Sequence, residues 1–162
     1  MNKKIFAISI ITLAIDQLVK GILEIYFNIN EPFKVIKDFF YITYCHNTGA
    51  AWSIFSNKPI LIIIISLIAL IIIYRFMYLF KKNKRNDIAF GLLVGGLMGN
   101  LLDRILYGYV RDFFDFYIFG YDYPVFNIAD IAIVIGVILL IVAIIKGEDS
   151  KNAISSTNRR KN

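Results

Sequence analysis

The sequence predicts an all-α membrane protein: four transmembrane helices with a small extracytoplasmic β element. Three observations predict it. Of the 162 residues 58% are hydrophobic and the mean hydropathy is +0.64, too apolar for a soluble domain of this length. Four mostly apolar runs, near residues 5–27, 59–80, 87–106 and 125–145, each have about the 20 residues needed to cross roughly 30 Å of hydrocarbon. The net charge of +6 comes from lysines and arginines gathered between those runs. That is a topology pattern, not a nucleic-acid face, and no nucleic-acid motif accompanies it. Residues 1–162 read as a single integral membrane domain with a polar tail over 146–162.

The chain starts MNKK and turns apolar at Ile5. Lys3 and Lys4 before Ile5–Ile15 have the outline of a secretory signal peptide. No small-x-small cleavage site follows, however, and the apolar pattern resumes past Asp16 to Phe27, so a retained first span is preferred. Within it Asp16 and Lys20 lie at i, i+4 and share a face. Such a pair either neutralises itself or serves a site; the second is favoured, because removing both charges would be the cheaper structural solution.

Residues 28–58 are more polar. Phe39–Tyr44 is aromatic and β-branched, which suggests a short strand at the membrane surface. Asn47-Thr48-Gly49-Ala50-Ala51-Trp52 combines a turn signal with small side chains that permit close approach. Cys45 and His46 are adjacent, so a strand points them to opposite faces and the pair reads as incidental. One cysteine excludes an internal disulfide, and one cysteine with one histidine does not build a zinc site. Carboxylate-only metal binding stays open at this point.

Pro59–Phe80 is an Ile/Leu scaffold whose Arg75 can snorkel, followed by the basic loop KKNKRN. In the third span Gly91, Gly95 and Gly99 recur every fourth residue, a pattern that lets helices pack closely in lipid. The same span ends in Asn100, Asp103 and Arg104, which share a face. Asp103–Arg104 is a candidate helix-end charge pair, and Arg104 can also reach for an acid on another element. Residues 107–124 read as a loop rich in Tyr and Phe, with Arg111 against Asp112, Asp115 and Asp122. The last span starts near Pro124, carries Asn127 and Asp130 early, and runs apolar to Ile145. A polar tail from Lys146, expected to be disordered, follows.

Eleven of the basic residues fall at the N-terminus, in the 81–86 loop and in the tail, against Lys34, Lys37, Lys58 and Arg111 in the other connections. The positive-inside rule then places both termini in the cytoplasm and both aromatic segments outside. Asn100–Arg104 and Asn127–Asp130 accordingly converge near the outer boundary of the membrane, with Asp130 ~8–10 Å below the start of its span at 1.5 Å per residue. Polar groups at membrane depth are costly and mark functional sites. Two carboxylates in a poorly hydrated place resist ionising together, so they share a proton and suit acid–base chemistry. Rival readings are a proton-coupled transporter, which a deeper Asp16 would suit, and an assembly factor, which leaves the acids unexplained.

The motifs Asp16-Gln-x-x-Lys20, Asn47-x-Gly-Ala-Ala51, Gly95-Gly-x-x-Gly-Asn100-x-x-Asp103-Arg104, Val110-x-Asp112-Phe113 and Phe126-Asn127-x-Ala129-Asp130 together resemble the lipoprotein signal peptidases (signal peptidase II), in order and over nearly the whole chain. The resemblance implies an aspartic endopeptidase of the bacterial cytoplasmic membrane. Its substrates would be prolipoproteins, cut before a diacylglyceryl-modified cysteine. By motif, Asp112 and Asp130 would be catalytic, and Asp16, Asn47, Asn100, Arg104 and Asn127 would line the pocket or position substrate. Asp103 would support the fold by fixing the helix end. On sequence alone Asp115 rivals Asp112; the motif decides for Asp112. Neither a metal nor any other cofactor is expected. The expected partners are the lipidated substrate and membrane lipid, with no nucleic acid, and the chain is expected to act as a monomer. Arg111 departs from the family, which usually has an apolar residue there. It either lowers the Asp112 pKa or points to water.

Overall fold

The computed structural model describes residues 2–49, 55–56 and 58–149. Ala50, Ala51 and Trp52, and the tail beyond Asp149, lie outside the described residues.

Helix α1 (Lys3–Tyr26) is capped by Asn2, whose side chain accepts the Ile5 N–H. Its buried stripe is Ile5, Ser9, Thr12, Asp16 and Lys20, while Phe6, Ile10, Ile11, Ile15, Leu18 and Ile22 face outward. This is amphipathy turned inside out. In hydrocarbon the apolar residues need no shelter, and the polar ones go to the bundle interior. Helix α2 (Pro59–Phe76) buries only Ile62 and Ser66 and leaves most of its other isoleucines outward; a 3₁₀ turn over Met77–Leu79 ends it. Helix α3 (Lys84–Tyr107) is the central element, capped by Asn83 and closed by Gly108 at φ 82°. Helix α4 (Ile128–Ile145) begins with a capping box, in which Asn127 accepts the Asp130 N–H and Asp130 accepts the Asn127 N–H. Among the described residues these four helices, the second counted through Leu79, are long and apolar enough to cross a membrane.

The glycines of α3 let its neighbours approach. A Cβ at Gly95 would stand 2.6 Å from Thr12 Cβ of α1, and one at Gly96 would stand 2.5 Å from the Ala129 carbonyl of α4. Helices α1 and α4 therefore pack on two sides of α3, and side chains from all three can meet between them.

The β element is larger than Phe39–Tyr44. Strands β1 (Pro32–Ile36), β2 (Phe40–Asn47), β3 (Val110–Ile118) and β4 (Tyr121–Asp122) form one antiparallel sheet in that order. The loop expected over 107–124 is thus mostly strand. Asp112 and Asp115 interrupt its aromatic pattern, so it reads as polar in isolation, but pairing with β2 supplies its order. The last helix starts at Ile128, beyond Pro124, because Phe126 is still bound to the sheet. Its N–H donates to the Phe114 carbonyl at 3.1 Å, and its carbonyl accepts the N–H groups of Phe113 and Phe114 at 3.1 and 2.8 Å. That stitch holds β3 beside the first turn of α4.

Candidate active site

The stitch determines the site. Asp112 comes from β3 and Asp130 from the third position of α4, inside its first turn and nearer the helix start than a helix beginning at Pro124 would put it. One residue grips both acids. Asn127 donates its side-chain amide to Asp112 Oδ1 at 2.6 Å and its backbone N–H to Asp130 Oδ2 at 3.1 Å. The remaining oxygens also have amide partners: Asn47 Nδ2 donates to Asp112 Oδ2 at 2.8 Å, and Asn100 Nδ2 donates to Asp130 Oδ1 at 2.8 Å. Asn127 Nδ2 further reaches Asn100 Oδ1 at 3.0 Å, closing the ring of amides.

Asp112 is 2% exposed and Asp130 is half-buried. Burial, and then the charge of Asp130, push the Asp112 carboxyl up to about 7, against the opposing pull of the Asn47 and Asn127 amides and of Lys20. Asp112 therefore keeps a proton to higher pH than an ordinary carboxyl, beside the half-buried carboxyl of Asp130.

The other predicted residues take distinct places. Asp16 is fully buried; its Oδ1 accepts the Ala129 N–H at 2.9 Å, and its Oδ2 pairs with Lys20 at 2.8 Å. It lies against the foot of α4, with both oxygens engaged inside the bundle. Arg104 donates to the Gly49 carbonyl at 2.7 Å and to the Asn100 carbonyl at 3.3 Å. The acidic partner considered for it does not materialise: among the described residues it makes no ion pair. Asp103 likewise does not pair with Arg104, since neighbours in a helix point in different directions. Fully buried, it accepts from Lys20, Gln17 and both the backbone and side chain of Arg111.

Arg111 follows neither sequence alternative. Successive side chains of a strand leave on opposite faces, and its guanidinium turns away from Asp112 into a cage. There it meets Asp103 at 2.8 Å, Glu24 at 2.9 Å, Gln17 at 2.9 Å and the face of Tyr107 at 4.7 Å. Its side chain is 4% exposed. Sequence reasoning missed Gln17 and Glu24 as its partners; their spacing after Asp16, on one helix, was the available signal.

Asp115 does not join the pair. Its Oδ2 accepts the Thr43 hydroxyl at 2.6 Å, within the sheet. Cys45 lies opposite Asp112 in the strand register, but burial, with the charges of Asp112 and Asp115, pushes its thiol up to about 12, so it offers no thiolate. His46 stacks on Tyr109 at 3.7 Å, away from both. Among the described residues no three His, Cys, Asp or Glu side chains gather as a metal ligand set.

Comparisons with known proteins bear on this arrangement. The family model described as signal peptidase (SPase) II matches residues 8–146. Lipoprotein signal peptidases of Staphylococcus aureus, from strains JH9 and Newman among others, are 43% identical over 157 residues, covering 93% of this chain and 96% of theirs. Two solved structures of a bacterial membrane enzyme, obtained in meso at 2.3 and 1.9 Å resolution, superpose with TM-scores of 0.78 and 0.76 at 42% identity. Each covers 88% of this chain, which in turn spans 87% and 92% of theirs. With sequence and fold in agreement, the chain belongs to the signal peptidase II family, a family of aspartic peptidases.

Proposed function

We propose that this protein removes the signal peptides of prolipoproteins by hydrolysing the peptide bond before a diacylglyceryl-modified cysteine, with Asp112 and Asp130 activating water as a pair. The observation that carries the mechanism is the joint hold of Asn127 on both carboxyls, combined with an Asp112 that keeps its proton to about pH 7. Water between the acids loses a proton to Asp130 as its oxygen attacks the scissile carbonyl. Asp112 gives its proton to the carbonyl oxygen. The tetrahedral gem-diol then collapses: the leaving amine takes the proton from Asp130, the C–N bond breaks, and one hydroxyl returns its proton to Asp112 as the carboxyl product forms.

Asn47, Asn100 and Asn127 orient the carboxyls and border the space in which the peptide lies. Arg104 holds the Gly49 carbonyl, next to Asn47, and Asp16 braces the start of α4. In orientation, both termini and the 81–86 loop face the cytoplasm of a bacterial cell, and the sheet and acid pair lie at the outer face of its cytoplasmic membrane. This follows from the lysine and arginine distribution. There a lipid-anchored substrate presents its peptide bond at headgroup level. All the proposed residues come from one chain, so a monomer suffices.

The test is incubation of the purified protein with a diacylglyceryl-modified precursor and with the same precursor unmodified. Release of a signal peptide from the modified form alone is expected. Cleavage of neither form, or of both equally, would overturn the assignment.

A further inference from the structure

Lys20 is the one lysine of α1 beyond the basic start, and it is fully buried. Its ammonium is held by Asp16 Oδ2 at 2.8 Å, Asp103 Oδ2 at 3.1 Å and Asn100 Oδ1 at 3.0 Å. The three acceptors match the three N–H donors of the ammonium. Asp16 and Asp103 supply the charge balance, and the neutral third acceptor is the one that connects Lys20 to the acid pair. Asn100 is the amide that donates to Asp130. An asparagine amide has nearly the same shape in either orientation, so its neighbours must decide which end faces which way. Lysine only donates, so it requires Asn100 Oδ1 on its own side and leaves Nδ2 aimed at Asp130. Asn127 asks for the same orientation, one N–H of its Nδ2 going to Asn100 and the other to Asp112, so Lys20 and Asn127 fix Asn100 from two sides.

We propose that Lys20 is a positioning residue for the peptidase reaction, acting through Asn100 to keep an N–H donor on Asp130. The inference rests on the peptidase reading above. The alternative is that Lys20 only neutralises Asp16 and Asp103.

A charge-balanced variant separates the two. In Asp16→Asn/Lys20→Met one negative and one positive charge leave together and Asp103 keeps Arg111, so a neutralising role is no longer needed. It is compared with the single variant Asp16→Asn for thermal melting in detergent, KM and kcat on a diacylglyceryl-modified precursor. The expected result is melting close to that of the matching single variant and unchanged KM. kcat falls about tenfold to a hundredfold, the scale of loss when a reacting group is misplaced by about 1 Å. Adding Asn100→Ala to the double variant lowers kcat no further.

A double variant whose kcat stays within about threefold of its single variant overturns the proposal. So does a further full loss on adding Asn100→Ala. Failure of the double variant to fold, while Asp16→Asn folds, also overturns it, because the lysine is then required by the fold itself. A wild-type protein that leaves the lipidated precursor intact refutes the peptidase reading before any variant is made.

Discussion

Replacing Asn47 by alanine should move the alkaline limit of activity upward. Asp112 reaches about pH 7 before ionising because burial and the Asp130 charge raise it, while amide donors hold it down. One of those donors is Asn47 Nδ2, at 2.8 Å from Oδ2. A hydrogen bond to a charged group contributes about 1.5–3 kcal/mol, and one pH unit corresponds to 1.36 kcal/mol. With water replacing part of the lost bond, the midpoint rises by about one unit, towards 8. The sign follows from the direction of the shift. Asp112 acts in its protonated form, activity is lost as rising pH removes that proton, and a weaker hold on the carboxylate delays the loss. The assay is kcat/KM against pH from 5 to 10 on a lipidated precursor, a profile that reports groups of the free enzyme. Asn47 also accepts the Gly49 N–H, so the height of the profile drops as well, but that contact has no bearing on where the limb lies. A limb that stays put or moves to lower pH would refute the reasoning.

Other outcomes follow from the same geometry. Asp115→Asn, whose parent carboxylate is tied to Thr43 inside the sheet, and Cys45→Ser should each keep kcat/KM within about threefold of wild type; a loss approaching that of Asp112→Asn would reopen the choice of acid. Gly99→Ala puts a Cβ 2.5 Å from Asp16 Oδ2 and 3.3 Å from Ala129 Cβ, and should cost about 1–3 kcal/mol in detergent unfolding; an unchanged midpoint would mean that α1 is free to move aside. Arg111→Met strips Asp103 and Glu24 of a buried partner and should destabilise by about 3–5 kcal/mol. The pH profile of the surviving activity should keep its limb, since Arg111 faces away from Asp112. A shifted limb would contradict that.

The parts of this molecule that sequence made legible are those set by local pattern. Four apolar runs, the four-residue glycine spacing of α3 and the polar face Asn100–Asp103–Arg104 all depend on helical periodicity, and the helices lie close to where the runs are. The sheet was only partly visible. Phe39–Tyr44 has the β-branched and aromatic character of a strand, whereas Val110–Ile118 owes its strand to pairing with β2, a contact about 70 residues away in sequence that no local signal encodes. For the same reason Asp112 could be placed near Asp130 only by motif. The amide ring that joins them depends on Asn47, Asn100 and Asn127 arriving from three different elements. Charge pairing was the least legible layer. Asp103 and Arg104 looked like partners because they are neighbours, yet each turns to a different element, and Lys20 and Arg111 take Asp103 between them.

The most direct measurement for the central claim is a mutant cycle on the two acids. kcat is determined for Asp112→Asn, Asp130→Asn and the double variant with a diacylglyceryl-modified precursor, each protein being first checked for wild-type melting. Groups that act as one unit lose their effect together. Each single variant is therefore predicted to lose at least about 10³-fold, and the double variant no more than either. Appreciable activity in one single variant, or losses that multiply in the double, would contradict a shared-proton pair.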